Sequence, residues 1–281
     1  MTRTVRTVRS AVLAAIGALA LVGSAAGTAS AAPPPPAPPP SVVYDALGDS
    51  YASGYGVPPY GECGRSASAY AVQLDGRHRL RLDDFVACAG ATTLTLVAGG
   101  QLAALDAETD LVTLTVGGND VSWSTAVNAC LVGTDAQCTA GVAFVGSRIA
   151  DELPALLDSL YAQVAGAAPH ARVVVTGYPR LFSPEHGAYL GASPAEQRAL
   201  NGAADALDET IAAAAERAGF EFVDVRAQFR GHGANAPRAW ILGATDPGAF
   251  HPTADGYRAY TAAVHAALRH PHRGCWHHHH H

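Results

Sequence analysis

The sequence predicts a three-layer α/β fold, a parallel sheet with helices on both faces. Three observations point to it. Five short, apolar, β-branched runs are spread along the chain, longer helical stretches lie between them, and several of the runs end in turns rich in glycine and polar residues. Such alternation builds a parallel sheet, because each strand must be followed by a crossover that returns the chain to the same end.

The residues before the first run have a different plan. Arg3, Arg6 and Arg9 give a basic start, an apolar stretch runs from Ala11 to Gly23, and Ala29-Ser30-Ala31 offers small residues for cleavage. This is the layout of an export signal over residues 1–31. Its core, Ala11 to Val22, is shorter than the roughly 20 residues a membrane-spanning helix needs. Cleavage after Ala31 leaves a proline-rich tether over 32–41, a main domain over 42–270 and a tail over 271–281 ending in the tag-like run His277 to His281. No later apolar stretch is long enough to cross a bilayer, so the expected product is secreted, extracellular and without stable membrane insertion.

The elements of the domain follow in order. Val42 to Leu47 reads as the first strand and Ser66 to Leu74 as a helix. Asp84 to Ala87 and Leu111 to Val116 read as the second and third strands, and Ala143 to Ala165 as a long helix. Arg172 to Thr176 and Glu221 to Val225 complete the strands. Between them the helix Pro194 to Ala218 carries Ala199, Ala203, Leu207 and Ile211 at spacings of about four, a stripe for packing on the sheet. Thr253 to Arg269 reads as a terminal helix.

The formal net charge is −6, and the basic leader contains no acidic residue, so the mature chain is more acidic still. That excludes nucleic acid as a partner. Every cationic side chain is arginine, with no lysine, which reads as coding bias. Five cysteines in an exported chain point to disulfides. Neighbouring cysteines would pair as Cys63 with Cys88 and Cys130 with Cys138, leaving Cys275 over, but sequence alone leaves the connectivity open. A zinc site is disfavoured because no two cysteines have Cys-x-x-Cys spacing, and no metal is expected.

Four segments carry candidate chemistry. Gly48-Asp49-Ser50-Tyr51 places a serine just past the first strand, where glycine lets the backbone turn and a helix start lends positive polarity. Taken alone, Ser50 is more plainly a helix cap. Cys88-Ala89-Gly90 follows the second strand, and Gly90 has only an N–H to offer. Gly117-Gly118-Asn119-Asp120 follows the third, where an asparagine amide can donate to an oxyanion; the plainer reading is a turn. Phe250-His251-Pro252-Thr253 fixes a histidine before the last helix, in position to accept a hydroxyl proton. His78, His170, His186, His232, His265, His270 and His272 lack such context and read as loop or surface histidines.

The ordered set is specific where its members are not. It resembles the SGNH hydrolases, the GDSL esterase and lipase family, and among them the secreted actinobacterial lipases and esterases. The resemblance runs from about Val42 to Leu268 and includes Gly48-Asp49-Ser50-Tyr51, Cys88-Ala89-Gly90-Ala91, Gly117-Gly118-Asn119-Asp120, Gly177-Tyr178-Pro179-Arg180 and His251-Pro252-Thr253. It implies a flavodoxin-like order of five parallel strands. It also implies a carboxylic-ester hydrolase in which Ser50 is the nucleophile and His251 the general base, with an oxyanion hole of the Ser50 and Gly90 N–H groups and the Asn119 amide. The disulfides it implies are Cys63–Cys88 and Cys130–Cys138. It calls for no cofactor.

Two departures stand out. The family places an aspartate three residues before the histidine, where this chain has Gly248; Asp246 lies two further back, across Pro247. The histidine is therefore oriented either by Asp246 or by a main-chain carbonyl at Gly248 or Ala249, and the serine–histidine dyad with a carbonyl is the favoured reading. Secreted relatives commonly carry a third disulfide, but Leu181 to Gly191 and Gly231 to Pro237 contain no cysteine, so those loops are expected to be looser. The expected enzyme is a monomer acting on a small-molecule ester or lipid as lipase, esterase or phospholipase. The alternatives are a carbohydrate deacetylase or acyltransferase on the same fold, and a silent secreted binding module.

Overall fold

The computed structural model of the chain describes residues 41–269. The leader, most of the tether, His270, His272, Cys275 and the histidine run lie outside the described residues. Five strands, β1 (Val42–Gly48), β2 (Leu80–Phe85), β3 (Leu111–Thr115), β4 (Arg172–Thr176) and β5 (Glu221–Val223), form one sheet in the order β2-β1-β3-β4-β5. Every pairing is parallel. This is the flavodoxin-like order expected from the sequence, and the central strands β3 and β4 are buried along nearly their whole length.

Among the described residues eight α-helices lie between and after the strands: α1 (Ser50–Ser53), α2 (Tyr70–Leu74), α3 (Thr93–Ala98), α4 (Trp123–Val132), α5 (Asp135–Asp151), α6 (Leu153–Ala167), α7 (Pro194–Ala218) and α8 (Ala254–Arg269). From β1 the chain steps outward to β2, then returns across the sheet through β3, β4 and β5. Right-handed crossovers therefore put the helices after β1 on one face and those after β2, β3 and β4 on the other. The helix contacts agree: α2 packs on α8, while α4, α5, α6 and α7 pack together. The reversal between β1 and β3 leaves a crevice beyond their carboxyl ends, the place where such sheets hold ligands.

The element boundaries correct several expectations. The second strand was expected at Asp84 to Ala87, but Val42 to Tyr44 pair with Leu80 to Leu82. As an edge strand, β2 needs only one apolar neighbour and tolerates Arg81 and Asp83, which hid it from an apolar search. The helix expected from Ser66 forms only from Tyr70, and α3 and α4 were not foreseen. The stretch Ala143 to Ala165 belongs to two helices that break at Glu152, where Pro154 in the first turn of α6 is compatible with a start but not with continuation. The third and fifth strands end before Val116 and Val225.

Cys63–Cys88 and Cys130–Cys138 are bonded. The two stretches without a bridge are held another way. The Asn235 amide donates to the Ser183 and Gly187 carbonyls and to Gln197 Oε1, and its oxygen accepts from the Ser183 N–H. The Gly233 N–H donates to Ser183 Oγ, and the Ala234 N–H to the Leu181 carbonyl. A partly buried polar network thus ties Leu181–Gly187 to Gly233–Asn235, against the expected looseness. Among the described residues no helix is long and apolar enough to cross a membrane.

Candidate active site

β1 ends at Gly48, and Asp49 caps α1 by accepting from the Tyr51 N–H at 2.9 Å. This sets Ser50 at the first helical position, almost fully buried, at the carboxyl end of the sheet. The histidine arrives from the other end of the domain. Leu242 N–H donates to the His251 carbonyl and Phe250 N–H to the Leu242 carbonyl, so the chain doubles back before α8, where Thr253 Oγ1 accepts from the Gly256 N–H. Tyr51 Oη donates to the Phe250 carbonyl at 2.6 Å, joining the two turns directly. Phe250 has φ +64°, a left-handed conformation that a bulky residue adopts only when its surroundings enforce it.

Ser50 Oγ lies 2.7 Å from His251 Nε2. On the far side of the ring, Nδ1 lies 3.1 Å from the Gly248 carbonyl and 3.0 Å from the Ala249 carbonyl. Carbonyls only accept, so Nδ1 carries the proton and Nε2 is free to accept from the serine hydroxyl. Burial lowers the pKa of His251, opposed by the two carbonyls that stabilise the imidazolium. Asp246 is not part of this contact set. Its carboxylate accepts from the Gly243 N–H at 2.8 Å, closing the exposed turn in which it stands.

Gly90 and Asn119 stand on the loops after β2 and β3. Cys88 N–H donates to the Gly48 carbonyl and Ala89 N–H to the Cys63 carbonyl, so the disulfide and these bonds hold the segment before Gly90 against the nucleophile turn. One N–H of the Asn119 amide donates to the Ala91 carbonyl at 2.9 Å. The amide carries a second hydrogen besides the one in that bond.

From Ser50 and Asn119 a cleft, partly open to solvent, passes between α4, α5 and α7. Trp123, Val127, Ile149, Leu181, Ala203 and Leu207 are among its walls, nearly all apolar. Behind it stands a buried polar column that the sequence did not reveal. Tyr178 Oη donates to Asp49 Oδ2 at 2.5 Å and accepts from the Gly118 N–H at 3.1 Å, while Tyr178 N–H donates to Asp208 Oδ1 at 2.8 Å. Burial pushes the Asp49 carboxyl up to about 7, against the Tyr178 and Tyr51 donors, and the Asp208 carboxyl up to about 8. Tyr178 was visible only as part of a motif; its role depends on strand order. Among the described residues no three His, Cys, Asp or Glu side chains converge as a metal site.

Comparison with known proteins places this arrangement in context. The profile of the GDSL-like Lipase/Acylhydrolase family matches residues 46–259. A lipase of Streptomyces rimosus is 37% identical over 219 residues, covering 76% of this chain and 81% of its own. The crystal structure of an extracellular lipase from Streptomyces rimosus superposes with a TM-score of 0.76 at 35% identity, over 81% of this chain and all of that one. Phospholipase A1 from Streptomyces albidoflavus NA297 gives 0.75 at 35% identity, over 80% of this chain and 99% of its own.

Proposed function

This chain belongs to the GDSL-like lipase/acylhydrolase family, and on that premise we propose that it is a secreted carboxylic-ester hydrolase using Ser50 as nucleophile and His251 as general base. The observation that carries the proposal is the 2.7 Å contact between Ser50 Oγ and an imidazole whose other nitrogen is held by carbonyls. Ser50 gives its proton to His251 Nε2 as its oxygen attacks the ester carbonyl. The Ser50 N–H, the Gly90 N–H and the Asn119 amide receive the negative charge. His251 then protonates the departing alcohol, and water, activated by the same imidazole, releases the acid from the acyl-enzyme.

The relatives that carry the names lipase and phospholipase A1 support a lipid ester as substrate, and the apolar cleft beside Ser50 suits a hydrocarbon acyl chain better than an acetyl group. Export is supported by the leader over residues 1–31 and by the extracellular relative. The test is hydrolysis of p-nitrophenyl esters from acetate to palmitate. Ala203→Trp, which fills the cleft, is expected to lower kcat/KM for the long esters by about tenfold or more and to leave acetate within about twofold. Equal loss across the series would place the acyl chain elsewhere.

The orientation of the imidazole gives a second expectation. His251 must be neutral to act, and burial lowers its pKa from 6.5, so the acid limb of kcat/KM against pH is expected below 6.5. Asp246→Ala should leave that limb and the rate within about twofold, because removing its bond to Gly243 touches only an exposed turn. A drop of a hundredfold, or a limb that moves, would make Asp246 the orienting group.

A further inference from the structure

The two oxyanion donors outside the nucleophile turn, Gly90 and Asn119, follow β2 and β3. These strands are not neighbours, since β1 lies between them. Their ends are therefore two strand spacings apart, roughly 10 Å, and no ladder hydrogen bond fixes one loop relative to the other. A dedicated tie is needed if both donors are to reach one oxygen.

The structure contains such a tie. Thr93 N–H donates to both carboxylate oxygens of Asp120, at 3.0 and 3.1 Å, and Thr93 Oγ1 donates to Oδ1 at 2.6 Å. Both residues are buried. Thr93 is the first residue of α3, so Asp120 satisfies an otherwise unpaired N–H and places negative charge at the positive end of that helix. Arg148 of α5 donates through Nε and Nη2 to the Asp120 carbonyl, at 3.1 and 2.8 Å, bracing the other side. The Asn119–Ala91 bond joins the same two loops, two residues before Thr93 on the loop after β2 and one before Asp120 on the loop after β3.

We infer that Thr93 and Asp120 are positioning residues for ester hydrolysis: their clasp sets the distance between the Gly90 N–H and the Asn119 amide, and with it the shape of the oxyanion hole. The inference rests on the assignment of Gly90 and Asn119 made above. Its chemistry is that of charge-assisted hydrogen bonds, which hold geometry more firmly than neutral ones. An oxyanion site displaced by a fraction of an ångström loses transition-state stabilisation while ground-state binding, set by the cleft, is kept.

The test uses the purified full chain, p-nitrophenyl butyrate, and an alkyl boronic acid that adds to the serine oxygen to give a tetrahedral anion. Thr93→Val removes the 2.6 Å bond at nearly constant shape, and Thr93→Ser restores the hydroxyl. Thr93→Val is expected to lower kcat about tenfold with KM within twofold and to weaken the boronic acid by a similar factor, with Thr93→Ser close to the parent. Asp120→Ala should lose more; if it does not fold, the two Thr93 variants decide alone. In an Asn119→Ala background the Thr93→Val loss should shrink to about twofold or less, because both changes act on one hole. Unchanged kcat and boronic-acid affinity in Thr93→Val, or a loss of the same size in the Asn119→Ala background, would overturn the clasp alone. Full activity in Asn119→Ala would overturn the oxyanion assignment and the clasp with it.

Discussion

Ser50→Ala and His251→Ala are each expected to lower ester hydrolysis by about 10⁴-fold or more, and the double variant to lose little beyond either single. The non-additivity follows from the geometry. Ser50 Oγ and His251 Nε2 share one hydrogen bond, and neither group does its part alone: the hydroxyl is a weak nucleophile without a base, and Ser50 Oγ is the hydroxyl that the base contacts. A residual rate over water should persist in all three, because the cleft and the oxyanion donors remain. The measurement is kcat/KM on p-nitrophenyl butyrate, with thermal unfolding to show that the folded population is unchanged. Activity within tenfold of the parent in Ser50→Ala would end the proposed mechanism. Additive losses in the double variant would mean that Ser50 and His251 serve different steps.

The contacts of the imidazole Nδ1 are main-chain carbonyls and not a carboxylate, and the local backbone explains how. The turn from Gly243 to Ala249 is closed by Asp246 itself, whose carboxylate is occupied by the Gly243 N–H. The chain then enters the left-handed conformation at Phe250, and this places the Gly248 and Ala249 carbonyls, not a side chain, against Nδ1. A neutral carbonyl fixes the tautomer as a carboxylate would, but stabilises the imidazolium less, in keeping with a pKa that burial lowers. Sequence could frame the choice between Asp246 and a carbonyl without deciding it, since the answer lies in one loop's dihedral angles.

Much of the framework was readable for a physical reason. Strands β1, β3 and β4 are buried runs of β-branched or apolar residues, and burial is what an apolar pattern reports. The edge strand β2 was expected at Asp84 to Ala87 and begins earlier, at Leu80, because its outer side needs no apolar cover. The short helix α3 escaped because the Thr92–Thr95 capping box holds six residues that have no room for a periodic stripe. Thr93 and Asp120 escaped for a deeper reason: residues 27 apart become partners only once strand order is known. The loops without a third disulfide were expected to be loose because covalent bridges are visible in a sequence, whereas the Ser183–Asn235 network that replaces one is not.

Gly48→Ala is expected to cost roughly 4 kcal/mol or more of stability, an effect of the size reserved for broken buried structure. Gly48 has φ +132°, and a Cβ there would sit 2.3 Å from the Thr115 carbonyl oxygen and 2.9 Å from Ala52 Cβ. Backbone cannot yield as a side-chain tip can. Both polar groups of Gly48 are also engaged, its N–H by Gln101 Oε1 and its carbonyl by Gln101 Nε2 and the Cys88 N–H, so the residue cannot swing away without breaking buried bonds. Gly76 provides the control, with φ +76° but open space where a Cβ would go, so Gly76→Ala isolates the backbone preference and should cost only about 1 kcal/mol. Denaturant unfolding of the two variants tests the difference; a Gly48→Ala loss no larger than that of Gly76→Ala would show that the crossing relaxes easily. The same substitution should depress activity even where the protein is folded, because a shift at Gly48 carries directly into Ser50 two residues on, and a misplacement near 1 Å can cost about a hundredfold in rate. The glycine that opens the nucleophile motif is thus required by the packing of β1 on β3, and the placement of Ser50 is a consequence of that packing.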